Sequence, residues 1–400
     1  MRKKVDLVVR KKSINSFIIP FNKPTFAGRE LKYIYQAVHE QNKISGDGIF
    51  AKRCHQLLEN KFKKPKALLT TSCTDAMELA ALLLDLKPGD EVIAPSYTFT
   101  STVNAFMLRG AKPVFVDIRR DTLNIDESLI ESKISKRTKA IFVVHYAGVA
   151  CEMDSIMAIA KRHCLPVVED AAQAVNAKYK NRYLGTIGDF GCFSFHETKN
   201  VIAGEGGALL INNIKYIERA EILREKGTNR AQFFRGEVDK YTWVDVGSSF
   251  LPSEIIAAFL LSQLEVMDKI NRMRARCYAR YFSAFKEYPD KWQVVLPTIP
   301  KHCSSNHHLF FLLLRDEEER DELSAFLKRK GILSIFHYVP LHSSPMGKKL
   351  GYREGDLPVS EDISRRLLRL PFYNGLTVKD QNLVIAAVHS FFKLRTGYAI

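Results

Sequence analysis

A lysine stands in an unusual place in the stretch Phe195-His196-Glu197-Thr198-Lys199-Asn200. The apolar run GCFSF leads into it, and the glycines Gly204, Gly206 and Gly207 follow. An ammonium is expensive to bury, and glycines let backbone come close to a neighbour. Two readings fit these residue types. One is a solvated lysine on a surface loop. The other is a partly desolvated amine that forms an imine with a carbonyl cofactor, which needs a cradle supplied elsewhere in the chain. Asp170, ending the apolar run PVVED, offers part of such a cradle. A carboxylate there either caps and is solvated, or keeps a heterocyclic nitrogen protonated. A carboxylate on the ring nitrogen with a lysine on the aldehyde is the pair that pyridoxal phosphate chemistry requires. The run Thr71-Ser72-Cys73-Thr74 sits between a strand-like and a helical segment, so its N–H groups and hydroxyls either face an anion or simply cap the helix. Phe99 either stacks on a ring or belongs to the core.

The elements that must position these residues alternate from Lys66 to Ile211. KALLT, EVIA, KPVFVD, AIFVVH and PVVED read as strands, with helices expected at 74–86, 99–108 and 153–163. That alternation predicts parallel βαβ units in a doubly wound α/β sheet. Ligands in such sheets lie beyond the C-terminal strand ends, which points at residues 71–74, 95–99, 145–146 and 170–173. A long helical stretch runs from Ser253 towards Phe285. Beyond it, LFFLLL and LSIFHYV read as strands, and 317–330, 360–370 and 378–392 as helices, together a smaller α+β unit. The expected organisation is a basic extension at 1–16, a large unit at 17–265 and a small unit at 266–400.

Composition narrows the partners. Apolar residues make up 46% of the 400, which suits a folded globular protein, and no apolar run approaches the roughly 18 residues that span a membrane. The basic N-terminus lacks the apolar segment of a secretory signal, so a cytoplasmic location is expected without membrane insertion. Seven cysteines without a Cys-x-x-Cys pair argue against a disulfide framework and against a zinc site. The charge of +16 suits nucleic acid, an acidic membrane or small anions. The basic residues are dispersed and carry no RNP, helix-turn-helix or zinc-finger signature, so a nucleic-acid partner is not expected.

Several motifs in order, DAAQ at 170–173, GCFSF at 191–195, TKN at 198–200 and GEGG at 204–207, resemble the signature of the DegT/DnrJ sugar aminotransferases. The resemblance extends over residues 17–395, from IPFNKP through SGDG to LPFYNGLT. It implies the aspartate-aminotransferase fold, pyridoxal 5'-phosphate as cofactor and a homodimer with shared sites. By position it implies that Lys199 binds the cofactor and shuttles the proton, that Asp170 pairs with the ring nitrogen, that Gln173 lies near the phenolic oxygen and that Phe99 stacks on the ring. Cys73, Thr74 and Ser194 would hold the phosphate. Many relatives have Gly-Thr where this chain has Cys73-Thr74, so the Cys73 contact would be through backbone. Where many have an asparagine reaching the partner's phosphate, this chain has Gly247-Ser248-Ser249, which makes Ser249 the matching contact. Within the family, TTSCTDAMELAALLLD, VVHYAGVACEMD, CFSFHETKN and REKGTNRAQFFRGEVDKYTW are most similar to members that pass an amino group from glutamate to C4 of dTDP-4-dehydro-6-deoxyglucose. Lys226, Arg230 and Arg235 are candidates for the diphosphate, and His337 and Tyr338 for the sugar; solvated charge and ordinary packing are the competing readings for each. Related sugar 3-dehydratases share the fold but carry histidine at the Lys199 position.

Overall fold

The computed structural model describes residues 18–64 and 66–396, and the basic extension expected at 1–16 lies outside them. Seven strands form the main sheet: β1 (Lys66–Thr70), β2 (Glu91–Pro95), β3 (Lys112–Val116), β4 (Thr138–Val144), β5 (Val167–Asp170), β6 (Phe190–Ser194) and β7 (Gly207–Ile211), in the order β1-β7-β6-β5-β4-β2-β3. Helices α1 (Ile49–Phe62), α2 (Cys73–Leu83), α3 (Thr100–Met107) and α4 (Met153–Arg162) pack on this sheet. Successive residues feed opposite layers, as the period of two demands. Leu69, Ile93, Ile141 and Phe193 enter one core cluster, and their neighbours Leu68, Val92, Phe142 and Cys192 the other.

Strand β7 was not expected, and it runs antiparallel to both β1 and β6. Its residues GALLI are buried on both faces, so they show none of the alternation that marks a half-exposed strand. The link from β6 is a loop at 195–206 that contains no helix to cross the sheet, and the chain returns antiparallel beside β6. Lys199 rides on that loop.

The helix expected from Ser253 to Phe285 is two helices, α5 (Glu254–Leu264) and α6 (Met267–Phe285). They part at the β-branched Val266, whose φ of −119° and ψ of 15° leave the helical region. In the small unit, β8 (Phe311–Leu313), β9 (Ile335–Phe336) and β10 (Leu367–Arg369) form an antiparallel sheet with β10 in the middle. Helices α7 (Glu317–Arg329), α8 (Pro358–Arg366) and α9 (Val378–Thr396) complete that unit. The helix expected over 360–370 therefore stops at Arg366, because Leu367 and Leu368 are buried as strand residues between β8 and β9. The LSIFHYV segment keeps only two residues in the ladder.

Two stretches cross the expected boundary between the units. Ile19 bridges to Ile332 and packs in the small unit's core, whereas Met267 and Ile270 on α6 still pack in the large unit's core.

Candidate active site

The C-terminal ends of the parallel strands open into a cavity of about 630 Å³. One wall carries Cys73, Thr74, Phe99, Asp170, Gln173, Ser194 and Lys199 from the large unit. The opposite wall carries His308, His337, Tyr338 and Arg369 from the small one.

Lys199 is held by a tight turn in which its N–H donates to the His196 carbonyl at 2.9 Å. Ladder-like bonds from Glu197 N–H to the Gly204 carbonyl (2.8 Å) and from Phe195 N–H to the Gly206 carbonyl (2.8 Å) close the loop. Burial pulls the amine's pKa below its ordinary value, against the opposing pull of the Asp170 carboxylate. A neutral, nucleophilic amine is thereby favoured.

Asp170 is the last residue of β5 and is only 5% exposed. Its Oδ2 accepts from the Thr102 hydroxyl at 2.7 Å, and its Oδ1 accepts from the Ala172 N–H at 3.1 Å. Two donors on a buried carboxylate fix its direction.

Both readings of the 71–74 turn hold, for different atoms. The Ser72 hydroxyl accepts from the Asp75 N–H at 3.0 Å and is the N-cap of α2. The N–H groups of Cys73 and Thr74 are first-turn donors without backbone partners in the helix, and they border the cavity. The Thr74 hydroxyl donates to Ser101 Oγ at 2.8 Å. Beneath this turn, Gly207 serves a close approach of protein to protein: a Cβ there would lie 2.3 Å from the Ser72 carbonyl and 2.5 Å from the Cys73 nitrogen. Ser194, in register with Gly207, ends β6 beside it, its hydroxyl accepting from the His196 N–H at 3.4 Å.

Phe99 is not core; the residue is 58% exposed and its ring stands at the cavity, 6.2 Å from the Tyr338 ring. The Gln173 amide is anchored at both ends, accepting from the Ala147 N–H at 2.7 Å and donating to the Tyr338 hydroxyl at 3.1 Å. His337 Nδ1 pairs with the Tyr146 hydroxyl at 2.9 Å.

Ser249, Lys226 and Arg230 do not line the cavity of this single chain. Lys226 and Ser249 are exposed, on a strip where Glu225 bridges to Ser249. Arg230 is paired with Glu225, and Arg235 with Glu221 and Glu237.

Sequence reasoning missed two groups on the small unit's wall. His308 follows another histidine just before LFFLLL, and its Nδ1 pairs with Asn200 Oδ1 at 2.9 Å, next to Lys199. Arg369 was hidden by the helical reading of 360–370, which makes it one more arginine among several on an exposed face. Its arrival at the cavity depends on the switch to β10.

The groups present fit pyridoxal phosphate: free N–H donors for a phosphate, a phenyl face for a ring, a fixed carboxylate for a ring nitrogen, and a half-buried amine. Comparison with known proteins agrees. The model of the DegT/DnrJ/EryC1/StrS aminotransferase family matches residues 26–389. The uncharacterized protein MJ1066 of Methanocaldococcus jannaschii is 35% identical over 380 residues, 93% of this chain and 97% of that protein. The spore coat polysaccharide biosynthesis protein SpsC of Bacillus subtilis is 36% identical over 337 residues, 82% of this chain and 85% of its own. A putative sugar aminotransferase of Streptococcus pneumoniae, Spr1654, solved in its PLP form, superposes with a TM-score of 0.87 at 26% identity, covering 94% of this chain and 99% of that one. Among the described residues, no helix is long and apolar enough to cross a membrane. The chain belongs to the DegT/DnrJ/EryC1/StrS aminotransferase family and is a sugar aminotransferase that uses pyridoxal phosphate.

Proposed function

We propose that this enzyme moves an amino group from glutamate to C4 of dTDP-4-dehydro-6-deoxy-D-glucose. The product is dTDP-4-amino-4,6-dideoxy-D-galactose, for cell-surface polysaccharide. The observation that carries the reading of the site is the opening of the Lys199 amine and the Asp170 carboxylate into one cavity beside the exposed Phe99 ring. The choice of sugar rests on the motif resemblance, and the part of SpsC in polysaccharide biosynthesis is in keeping with the product's use.

When bound, pyridoxal phosphate supplies an electron sink for charge that develops on the amino-bearing carbon. The chain's own residues do the rest. In this reading Cys73 and Thr74 N–H groups and the Ser194 hydroxyl hold the phosphate, and Phe99 supports the ring. Asp170, aimed by Thr102 and Ala172, keeps the ring nitrogen protonated. Gln173 stands by the phenolic oxygen. Lys199, its pKa lowered by burial, anchors the cofactor and carries the proton removed from the amino-bearing carbon. Residues 17–265 act as the cofactor unit and 266–400 as the facing wall, where His337 and Tyr338 meet the sugar.

Ser249 and Lys226 lie outside the single chain's cavity, beside an exposed apolar strip that includes Phe234 and Trp243 at 70% and 75% exposure. Exposed apolar surface of this kind suits burial against a second copy, so a homodimer would bring these residues to the partner's site. Lys226 and Arg230 would then meet the diphosphate, which accounts for the basic surface without nucleic acid. Seven unpaired cysteines fit the reducing cytoplasm.

The test is amino transfer from glutamate to a panel of nucleotide 4-ketosugars, with products identified by NMR. Turnover of dTDP-4-dehydro-6-deoxyglucose to the galacto-configured amine is expected. Preference for a UDP- or GDP-linked sugar, or the gluco product, would reject the sugar assignment.

A further inference from the structure

The motif IFHYVPLH ends on a histidine that the cavity does not use. His337 and Tyr338 border the cavity, but His342 lies behind it and has no exposed surface. A buried imidazole needs a partner for each nitrogen. His342 finds one in each unit. Its Nδ1 pairs with the Ser96 hydroxyl at 2.7 Å, and its Nε2 pairs with Glu361 Oε1 at 2.8 Å. Its backbone N–H also donates to Ser96 Oγ at 3.0 Å, and the neighbouring Leu341 N–H donates to the Ser96 carbonyl at 2.9 Å. A serine, a histidine and a carboxylate in a row are the components of an activated nucleophile. Here Ser96 is fully buried and does not border the cavity, so the row acts as a tie between the two units.

The protons of this row run one way. Ser96 Oγ accepts from the His342 N–H, and the hydroxyl's own proton has Nδ1 as its acceptor among the described residues. Nε2 is left to donate to Glu361, whose Oε1 also accepts from the Gly355 N–H at 2.7 Å. Glu361 stands on α8, and α8 is itself fastened to the large unit, because Asp117 accepts from the Val359 and Ser360 N–H groups at 2.9 and 2.8 Å. Ser96 is thus tied to a fixed post. It leads the segment on which the cofactor wall depends. The Tyr97 ring packs 5.4 Å from Tyr146 and 5.9 Å from Tyr338. The Thr98 hydroxyl pairs with Thr102 Oγ1 at 2.9 Å, and since Thr102 gives its one proton to Asp170, Thr98 is the donor. Phe99 follows at the cavity.

We infer that His342 is a positioning residue for the cofactor, holding through Ser96 the 96–99 segment that aims the Asp170 carboxylate and presents the Phe99 ring. This deepens, and rests on, the proposal that those two groups meet the pyridine ring. A segment that follows a strand end moves unless it is pinned, and groups that grip a ring lose their hold when their supports slacken. The strand β2 pins the segment at one end and α3 at the other. His342 pins it at its first residue from the small unit, which thereby takes part in cofactor binding through a side chain that does not border the cavity.

The experiment uses the full chain loaded with pyridoxal phosphate carrying a nitrogen-15 label in its ring, as wild type, Ser96→Ala, His342→Asn, His342→Gln and Asp170→Asn. Asparagine places an acceptor where Nδ1 stood and gives up Glu361, whereas glutamine reaches Glu361 and gives up Ser96. Each histidine variant breaks one buried bond, so both should unfold at lower urea than wild type. Two further quantities separate them: the ring-nitrogen signal by NMR and the rate of cofactor release. Ser96→Ala and His342→Gln should shift the signal in the direction that Asp170→Asn shifts it, and should release cofactor about three- to tenfold faster than wild type. His342→Asn should keep the wild-type signal and release within about twofold of the wild-type rate. Equal behaviour of the two histidine variants would overturn the inference, and so would wild-type release from Ser96→Ala. If Asp170→Asn leaves the ring-nitrogen signal unmoved, the reading of Asp170 fails instead, and the order of the release rates still decides whether His342 acts through Ser96.

Discussion

The two walls of the cavity differ in one group, because His308, His337 and Tyr338 on the small unit's wall are paired and Arg369 is not. On the large unit's wall, Asp170 holds Thr102 and Ala172, Gln173 holds Ala147 and Tyr338, and Ser72 holds Asp75. Each of these groups is aimed by partners within the protein. On the small unit's wall Arg369 has only an aromatic face beneath it. Its neighbour in the same unit, Arg274, is 2% exposed and bonded by Nε to the His307 carbonyl (2.9 Å), by Nη1 to Asn374 Oδ1 (3.0 Å) and by Nη2 to the His308 carbonyl. The fold satisfies the buried charge of Arg274 and leaves the half-buried one of Arg369 open at the cavity.

The largest effect should come from the wall that is already organised. Lys199→Ala should remove the visible absorption that appears when pyridoxal phosphate is added, and should slow transfer by at least about a thousandfold. A lysine adduct still trapped by borohydride in Lys199→Ala, and mapped by proteolysis, would show that another amine does this work.

The contrast between the arginines is sharpened by stability. Arg274→Leu leaves two buried carbonyls and the Asn374 oxygen without their donor, which should cost about 3 kcal/mol in urea unfolding. Arg369→Leu removes no protein hydrogen bond and should change stability by less than about 1 kcal/mol. The reverse order would break the contrast between the two arginines.

A smaller effect concerns the histidines beside Arg369. Burial holds His308 and His337 well below the usual histidine pKa, so both are neutral near pH 7 and Arg369 is the cation of that wall. The unfolded chain binds protons near pH 6.5 that the folded chain refuses. The stability these groups contribute is therefore present above that pH and lost as the pH falls through it. His337→Gln should reduce the loss between pH 7 and 5.5 by about 1 kcal/mol, read from unfolding curves at several pH values. An unchanged acid slope would mean that His337 accepts a proton in the folded state.

How much of this was legible beforehand depended on the kind of signal. PVVED and KALLT announced their strands because buried strands are short and apolar, and the residues that follow them had to lie at the ligand edge. Lys199 and Asp170 could be picked out because a charged group at the end of an apolar run is costly without a task. GALLI escaped notice although it is buried like the strands that were found, because no helix precedes it and it falls outside the strand–helix alternation. Arg369 escaped because RRLLRL satisfies a helical period as well as a strand, and only the pairing of Leu367 and Leu368 between two other strands decides for the strand. Thr102, which aims Asp170, sits on α3 and belongs to a different βαβ unit, so no local motif connects the two.

The sequence by itself determined the layered α/β fold and marked Lys199 and Asp170 as charges beside apolar runs, because apolar periodicity and the cost of isolated charge act locally along the chain. Only the tertiary structure decided which groups meet across the cavity. Strand β7 reverses and seats Gly207 against the Ser72–Cys73 backbone, and β10 replaces a helix and brings Arg369 to the cavity wall opposite Lys199. Both depend on pairing between segments far apart in the chain, where the free energy of burial outweighs local preference.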